Sequence, residues 1–242
     1  MLAILKKEIR SFLNSLIAYI IMIIFLTGMG LFVWVFPDTN LLDYGFADLS
    51  ILFYLAPYVY MFLIPAITMR TFAEEKKAGT LELLLTRPLS DWDIILGKYL
   101  ASLLLIIFTL IPTLVYYYSV YTLGNPAGNI DSAGVFGSYI GLVLLGAVFT
   151  AIGIFASSIS DNQITSFIVA AFLCFVLYAG FSSLTSLDAL GEMAYFINQL
   201  GIDYHYKALS KGLIDSRNLI YFFSLIAFML MATRLVLGSR KW

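Results

Sequence analysis

Residues 70–98 read RTFAEEKKAGTLELLLTRPLSDWDIILGK and lie between two long apolar runs. Ten of the chain's 29 formal charges fall in this stretch: Arg70, Glu74, Glu75, Lys76, Lys77, Glu82, Arg87, Asp91, Asp93 and Lys98. Each flanking run is about twenty residues long, enough for a helix to cross a ~30 Å hydrocarbon core. A charged segment between two such runs reads as a loop at one membrane surface.

Composition agrees. Apolar residues make up 61% of the 242 residues and charged ones 12%, against about 25% charged in soluble proteins; the mean hydropathy is +0.93. The expected fold is an all-α polytopic membrane protein, a single transmembrane domain over 1–242. Its six transmembrane helices fall near 16–36, 52–69, 99–121, 136–157, 164–183 and 219–237. No soluble enzyme domain of roughly 100 residues fits in the remainder. The first run lacks a small-residue cleavage site, so it is expected to be retained as a span.

Six spans put both termini on one side, together with 70–98. That side holds eleven of the fourteen lysines and arginines, and the other only Lys207, Lys211 and Arg217. Cationic loops stay cytoplasmic, which predicts cytoplasmic termini. Tyr116, Tyr117, Tyr118 and Tyr121 then mark an outer aromatic belt. The stretch before the first span places Leu2, Leu5, Ile9, Phe12, Leu13 and Leu16 on one side and Lys6, Lys7, Arg10 and Asn14 elsewhere, which reads either as an amphipathic helix lying in the cytoplasmic interface or as an anchoring flank of that span. The segment 183–218 is too apolar for a free loop and too charged for two further spans. A hairpin of short helices dipping into the outer leaflet is expected there.

Chemistry within the chain is sparse. Cys174 is the only cysteine and His205 the only histidine, which excludes an internal disulfide and a multi-thiolate metal site. Glu74 and Glu75 lack the intramembrane histidines that a double-glutamate protease needs. No G-x-x-x-x-G-K-[ST] phosphate loop is present, so nucleotide hydrolysis by that route is excluded. Ion-coupled carriers need ionisable groups at bilayer depth; the expected spans hold only Arg234, near the end of the last. No catalytic residue, cofactor, metal or nucleic-acid partner is expected of this chain.

Small residues along the fourth span, Gly137, Gly141, Gly146 and Gly153, are read as helix-packing positions. Pro57, Pro65 and Pro112 can bend their helices. At the turn after the fourth span, Ser160 and Gln163 read as a capping box, with Asp161 at the positive helix end. This turn is a candidate for a second cytoplasmic contact.

Within 70–98, a helix continues from the second span until Gly79 stops it. Thr80 opens a short helix whose Leu81, Leu84 and Leu85 form an apolar knob flanked by Glu82 and Arg87. Pro88 ends that helix, and Ser90 with Asp93 supplies a capping box for the next. Leucines so placed either lie on the membrane surface or dock into a groove on a cytoplasmic protein.

The pattern E-x-x-x-G-T-L-E-x-L-L-x-x-P, carried by Glu75, Gly79, Thr80, Leu81, Glu82, Leu84, Leu85 and Pro88, resembles the first cytoplasmic loop of type-2 ABC exporter permeases. GLVLLGAVFTAIGIFASSISDNQITSFI at 141–168 is similar to that family's fourth and fifth spans. With GIDYHYKALSKGLIDSRNLIYF at 201–222, the whole is most similar to the gliding-motility permeases of Bacteroidetes.

The resemblance implies an elbow helix at 1–15, six spans, a dimer with a second permease copy, and a separate cytoplasmic ATPase subunit that binds ATP and Mg. It implies a coupling helix over 80–87, with Glu75, Gly79, Thr80, Leu81, Glu82, Leu84, Leu85, Arg87 and Pro88 forming the ATPase-docking region. An inner-membrane location, a role in gliding or linked secretion, and an auxiliary membrane subunit are also implied. A non-transporting membrane scaffold for such a machine is the alternative.

Overall fold

The computed structural model describes residues 1–43, 45–85, 90–185, 193–212 and 215–239. Their regular structure is helical. The helices are α1 (Leu2–Leu13), α2 (Leu16–Trp34), α3 (Ser50–Thr68), α4 (Arg70–Lys77), α5 (Thr80–Leu85), α6 (Asp91–Leu110), α7 (Leu114–Leu123), α8 (Ser132–Ile159), α9 (Gln163–Phe175), α10 (Phe181–Thr185), α11 (Met193–Gln199), α12 (Ile202–Leu209) and α13 (Ser216–Gly238). Five helical segments are long and apolar enough to cross a membrane: Ser50–Lys77, Asp91–Leu123, Ser132–Ile159, Gln163–Thr185 and Ser216–Gly238. The pair α1–α2, bent by 66°, gives a sixth when counted as one span.

Helix α8 is the axis of the bundle, with α3, α9 and α13 as its main neighbours and α4, α6 and α12 also against it. Its most apolar stretch is 78% buried, against 22% for α9 and α13, which present apolar side chains outward as lipid-facing helices do. Small residues let its neighbours come close. A Cβ added at Gly153 would stand 2.0 Å from Thr68 Oγ1 on α3, and one at Gly137 would stand 2.8 Å from the Leu209 carbonyl on α12. Gly141 faces Tyr206 and Leu209, and Gly146 faces Ile106, Tyr60 and Ile64. All four glycines therefore meet helices of the same chain.

The prolines act unequally. Pro112 sits in a 3-10 turn, Ile111–Thr113, that separates α6 from α7. Helix α3 runs through Pro57 and Pro65 without a break and is interrupted only at Met69, before α4.

One end of the bundle gathers α1, α4, α5, the start of α6 and the last turns of α8 and α13. Ile4 of α1 packs on Gly97 of α6, whose Cβ would come within 2.9 Å of it. The Arg234 guanidinium of α13 lies 5.4 Å from the Trp92 ring centre. At the opposite end, α12 is inserted between other helices, burying Ile202, Tyr206 and Leu209. Tyr206 donates a hydrogen bond of 2.7 Å to the Phe53 carbonyl. Met193, Tyr195 and Phe196 of α11 are exposed, so one of the two short helices packs into the bundle and the other lies on its surface.

One local expectation changes. The helix after the α8 turn begins at Gln163 with Asn162 as its cap, accepting from the Ile164 amide at 2.9 Å. Gln163 is thus the first helical residue, where it cannot reach back as the third residue of a capping box must. Ser160 instead accepts from the Asn162 amide at 3.0 Å within the turn. Helix α1 packs on the bundle by Ile4 and Glu8, and Leu2 and Leu13 of its apolar side are exposed, which leaves them open to an interface.

Candidate functional site

The charged end is built around one buried cation. Lys98, 1% exposed, lies one turn into the apolar part of α6. Its Nζ donates to Glu8 Oε1 of α1 at 3.0 Å and to the Thr71 carbonyl of α4 at 2.8 Å. It lies 3.0 Å from Glu75 Oε1 and 5.2 Å from the Phe72 ring centre. Lys7, more than half exposed, closes the cluster, 3.0 Å from Glu75 and 3.5 Å from Glu8. Two cations and two carboxylates balance, as they must where an unpaired buried charge would be costly. Burial opposes the charge of Lys7, but its hydrogen bond to Glu75 and the fields of Glu75 and Glu8 overcome this and raise its pKa.

Local sequence puts each group in place. Glu8 and Ile4 are one turn apart on α1, and Gly97 lets that face approach α6. Thr71, Phe72 and Glu75 follow from the helical spacing of α4. The Ser90–Asp93 capping box forms as the sequence indicates: Ser90 Oγ accepts from the Asp93 amide at 3.1 Å, and the Asp93 carboxylate accepts from the Ser90 amide at 3.2 Å. That box fixes where α6 begins and therefore where Lys98 points.

The same segment is fastened to α8. Ser157 Oγ accepts from the Phe72 and Ala73 amides at 3.0 and 3.1 Å and donates to the Met69 carbonyl at 2.9 Å. It thereby satisfies the backbone groups left open where α3 gives way to α4. Lys76 Nζ donates to the Ser158 carbonyl, and Arg70 Nη2 donates to Ser15 Oγ at 3.1 Å, at the α1–α2 joint. Helix α4 is thus held by α1, α6 and α8 together.

After α4 the backbone reverses at Gly79, whose φ of +68° suits glycine, and α5 follows. Thr80 Oγ1 donates to the Glu75 carbonyl at 3.3 Å. Leu81 is buried at 4% exposure, so it anchors α5 to the bundle. Gly79, Thr80 and Glu82 are exposed. Glu75 turns inward, into the Lys98 cluster, and away from that exposed surface. The side chains of Leu84 and Leu85, and all of Arg87 and Pro88, lie outside the described residues.

Sequence reasoning missed Glu8, Lys98 and Ser157. A signal existed for Lys98, which stands between IILG and YLASLLL; a lysine framed by apolar residues on both sides needs a partner. His205 is held by Asn218 at 2.8 Å and the Gln199 carbonyl at 2.9 Å, and stacks on Tyr221 at 3.9 Å. It ties α12 to α11 and α13. Among the described residues no group of His, Cys, Asp or Glu is arranged to hold a metal.

Residues 2–238 match the model of the ABC-2 family transporter proteins. The chain belongs to the ABC-2 transporter family. No curated protein matches it. An ABC-2 membrane component is a multi-pass permease that works with a separate ABC ATPase and does not itself hydrolyse ATP. The buried cluster therefore sits in a protein whose family divides membrane passage and energy supply between chains.

Proposed function

We propose that this ABC-2 protein is the permease subunit of an exporter whose α4–α5 segment receives the movement of the ATPase. The observation that carries this reading is Lys98, shared by Glu8 of α1 and Glu75 of α4. A push on α5 is passed by α4 to α1 and α6 as one body, because separating them would leave a buried charge unpaired. The charged end is the cytoplasmic one, α1 is the elbow helix in that interface, and both termini face the cytoplasm. The exposed surface at Gly79, Thr80 and Glu82, with Leu84, Leu85, Arg87 and Pro88 following in sequence, is the docking region; Glu75 and Leu81 support it from within. The turn at Ser160, Asp161 and Gln163 is a second, smaller contact.

In this reading the chain pairs with a second permease copy in the inner membrane and serves gliding motility or linked secretion, with an auxiliary membrane subunit of that system. The test is co-purification from native membranes. The ATPase should accompany the wild-type chain and be lost from Leu84→Asp. Recovery of the chain without any ATPase, or full retention by Leu84→Asp, would overturn the assignment.

A further inference from the structure

At the end of the bundle opposite the Lys98 cluster, α12 carries Asp203, Lys207 and, just past its last turn, Lys211, spaced by four residues along one side. Asp203 is 7% exposed. Lys207 Nζ donates to its Oδ2 at 2.7 Å, and Tyr178 lines the same space. Together these residues line a cavity of about 290 Å³ between α3, α8 and α12. Its wall is aromatic. The Tyr178 ring lies 6.0 Å from Tyr58, edge to face, and 6.3 Å from Tyr206. Tyr54 and Tyr58 form its outer edge and are exposed on α3.

Two features are more than packing requires. Tyr178 sits in a π-helical turn, Val176–Gly180, a local widening of the helix that re-aims a side chain and is frequent at functional sites. Asp203 is a buried carboxylate whose ammonium partner is the end of a long side chain, 62% exposed, which can swing away. Carboxylate and tyrosine faces together are the chemistry that holds an organic ammonium. The neighbouring lysines are the chemistry that holds a phosphate.

We infer that this cleft binds a molecule carrying an ammonium and a phosphate on neighbouring groups, as a zwitterionic lipid headgroup does. The ammonium takes the place of the Lys207 Nζ on Asp203, against the tyrosines, and the displaced Lys207 joins Lys211 on the phosphate. The order of charge along α12, one negative then two positive, matches that ligand and neither a simple anion nor a simple cation. The inference stands apart from the ATPase assignment, since it concerns binding and not passage.

The test is native mass spectrometry of the full chain with phosphatidylethanolamine, phosphatidylglycerol (phosphate without ammonium) and diacylglycerol (neither). The wild type should retain phosphatidylethanolamine about tenfold better than phosphatidylglycerol, the scale of a desolvated ammonium–aromatic contact. Asp203→Asn should erase that preference while phosphatidylglycerol binding persists. Lys211→Gln, an exposed change that spares the fold, should weaken both phospholipids alike and leave diacylglycerol unchanged. Competition by free O-phosphoethanolamine would assign the same chemistry to a soluble ligand, and failure to compete would assign it to the lipid. Equal retention of the two phospholipids by the wild type, or an undiminished preference in Asp203→Asn, would overturn the inference.

Discussion

Lys98 Nζ lies 3.0 Å from Glu8 Oε1, joining residues ninety positions apart on α6 and α1. The pair binds α1 to α6 by a group with almost no access to solvent. Such a bond is strong evidence of a fixed spatial relationship and weak evidence of net stabilisation, because burying the charges offsets much of their attraction.

Removing the cation alone should therefore cost more than removing the cluster. Lys98→Met leaves Glu8 and Glu75 facing one another with only the exposed Lys7 to balance them. The expected loss is about 3–5 kcal/mol, the cost of stranding a buried charge. Lys98→Met combined with Glu8→Gln and Glu75→Gln should recover much of it. Unfolding of the purified chain in detergent measures both. If the triple variant were no more stable than the single one, the charges would not be the source of the loss.

Ser157 offers a separable test of how α4 is held. Ser157→Ala removes the acceptor for the Phe72 and Ala73 amides and the donor to the Met69 carbonyl. Leaving buried backbone groups unsatisfied costs about 1–3 kcal/mol. In the assembled transporter the variant should still recruit the ATPase, since α5 is untouched, but stimulate its hydrolysis less. Binding and stimulation falling together would place Ser157 in assembly and not in transmission.

What the sequence made legible was local. The Ser90–Asp93 capping box and the stop at Gly79 each depend on residues close in sequence. What it hid was long-range. Lys98 reads as the last charge of a loop because hydropathy averages over its neighbours, and only the approach of α1 reveals that it is buried. The same holds for α1 itself. Its apolar residues mark a side suited to the interface, and nothing in that pattern shows that the face against α6 carries Ile4 and Glu8, where Glu8 meets Lys98. The Ser160–Gln163 pattern misled for a different reason: Asn162 is the nearer cap and starts the helix at Gln163, two residues after the start that box requires.

The glycines of α8 should differ in whether they can be rescued. At Gly153 the obstacle is the Thr68 side chain, so Gly153→Ala should cost about 1–3 kcal/mol and Thr68→Ala should return part of it. At Gly137 the obstacles are the Leu209 carbonyl and the Gly212 backbone, which no side-chain change removes. Gly137→Ala should therefore be destabilising whatever accompanies it. A double-mutant cycle at 68 and 153 shows the coupling directly; additive effects there would contradict the close contact.

Lys7 gives the cluster a pH signature. Its pKa is raised above the usual 10.5 because Glu75 and Glu8 favour the charged form more than its partial burial opposes it. A raised pKa means that the folded chain holds this proton more tightly than the unfolded chain does. The contribution to stability is therefore complete below pH 10.5 and is lost as pH rises through the folded value. The melting-temperature gap between wild type and Lys7→Met should be constant from neutral pH to about pH 9 and should shrink above 10.5. The gap should also be small and decrease in high salt, since Lys7 is mostly exposed and exposed pairs are screened. A gap that widened on the alkaline side would mean that Lys7 is charged at a cost, and that Glu75 answers to Lys98 alone.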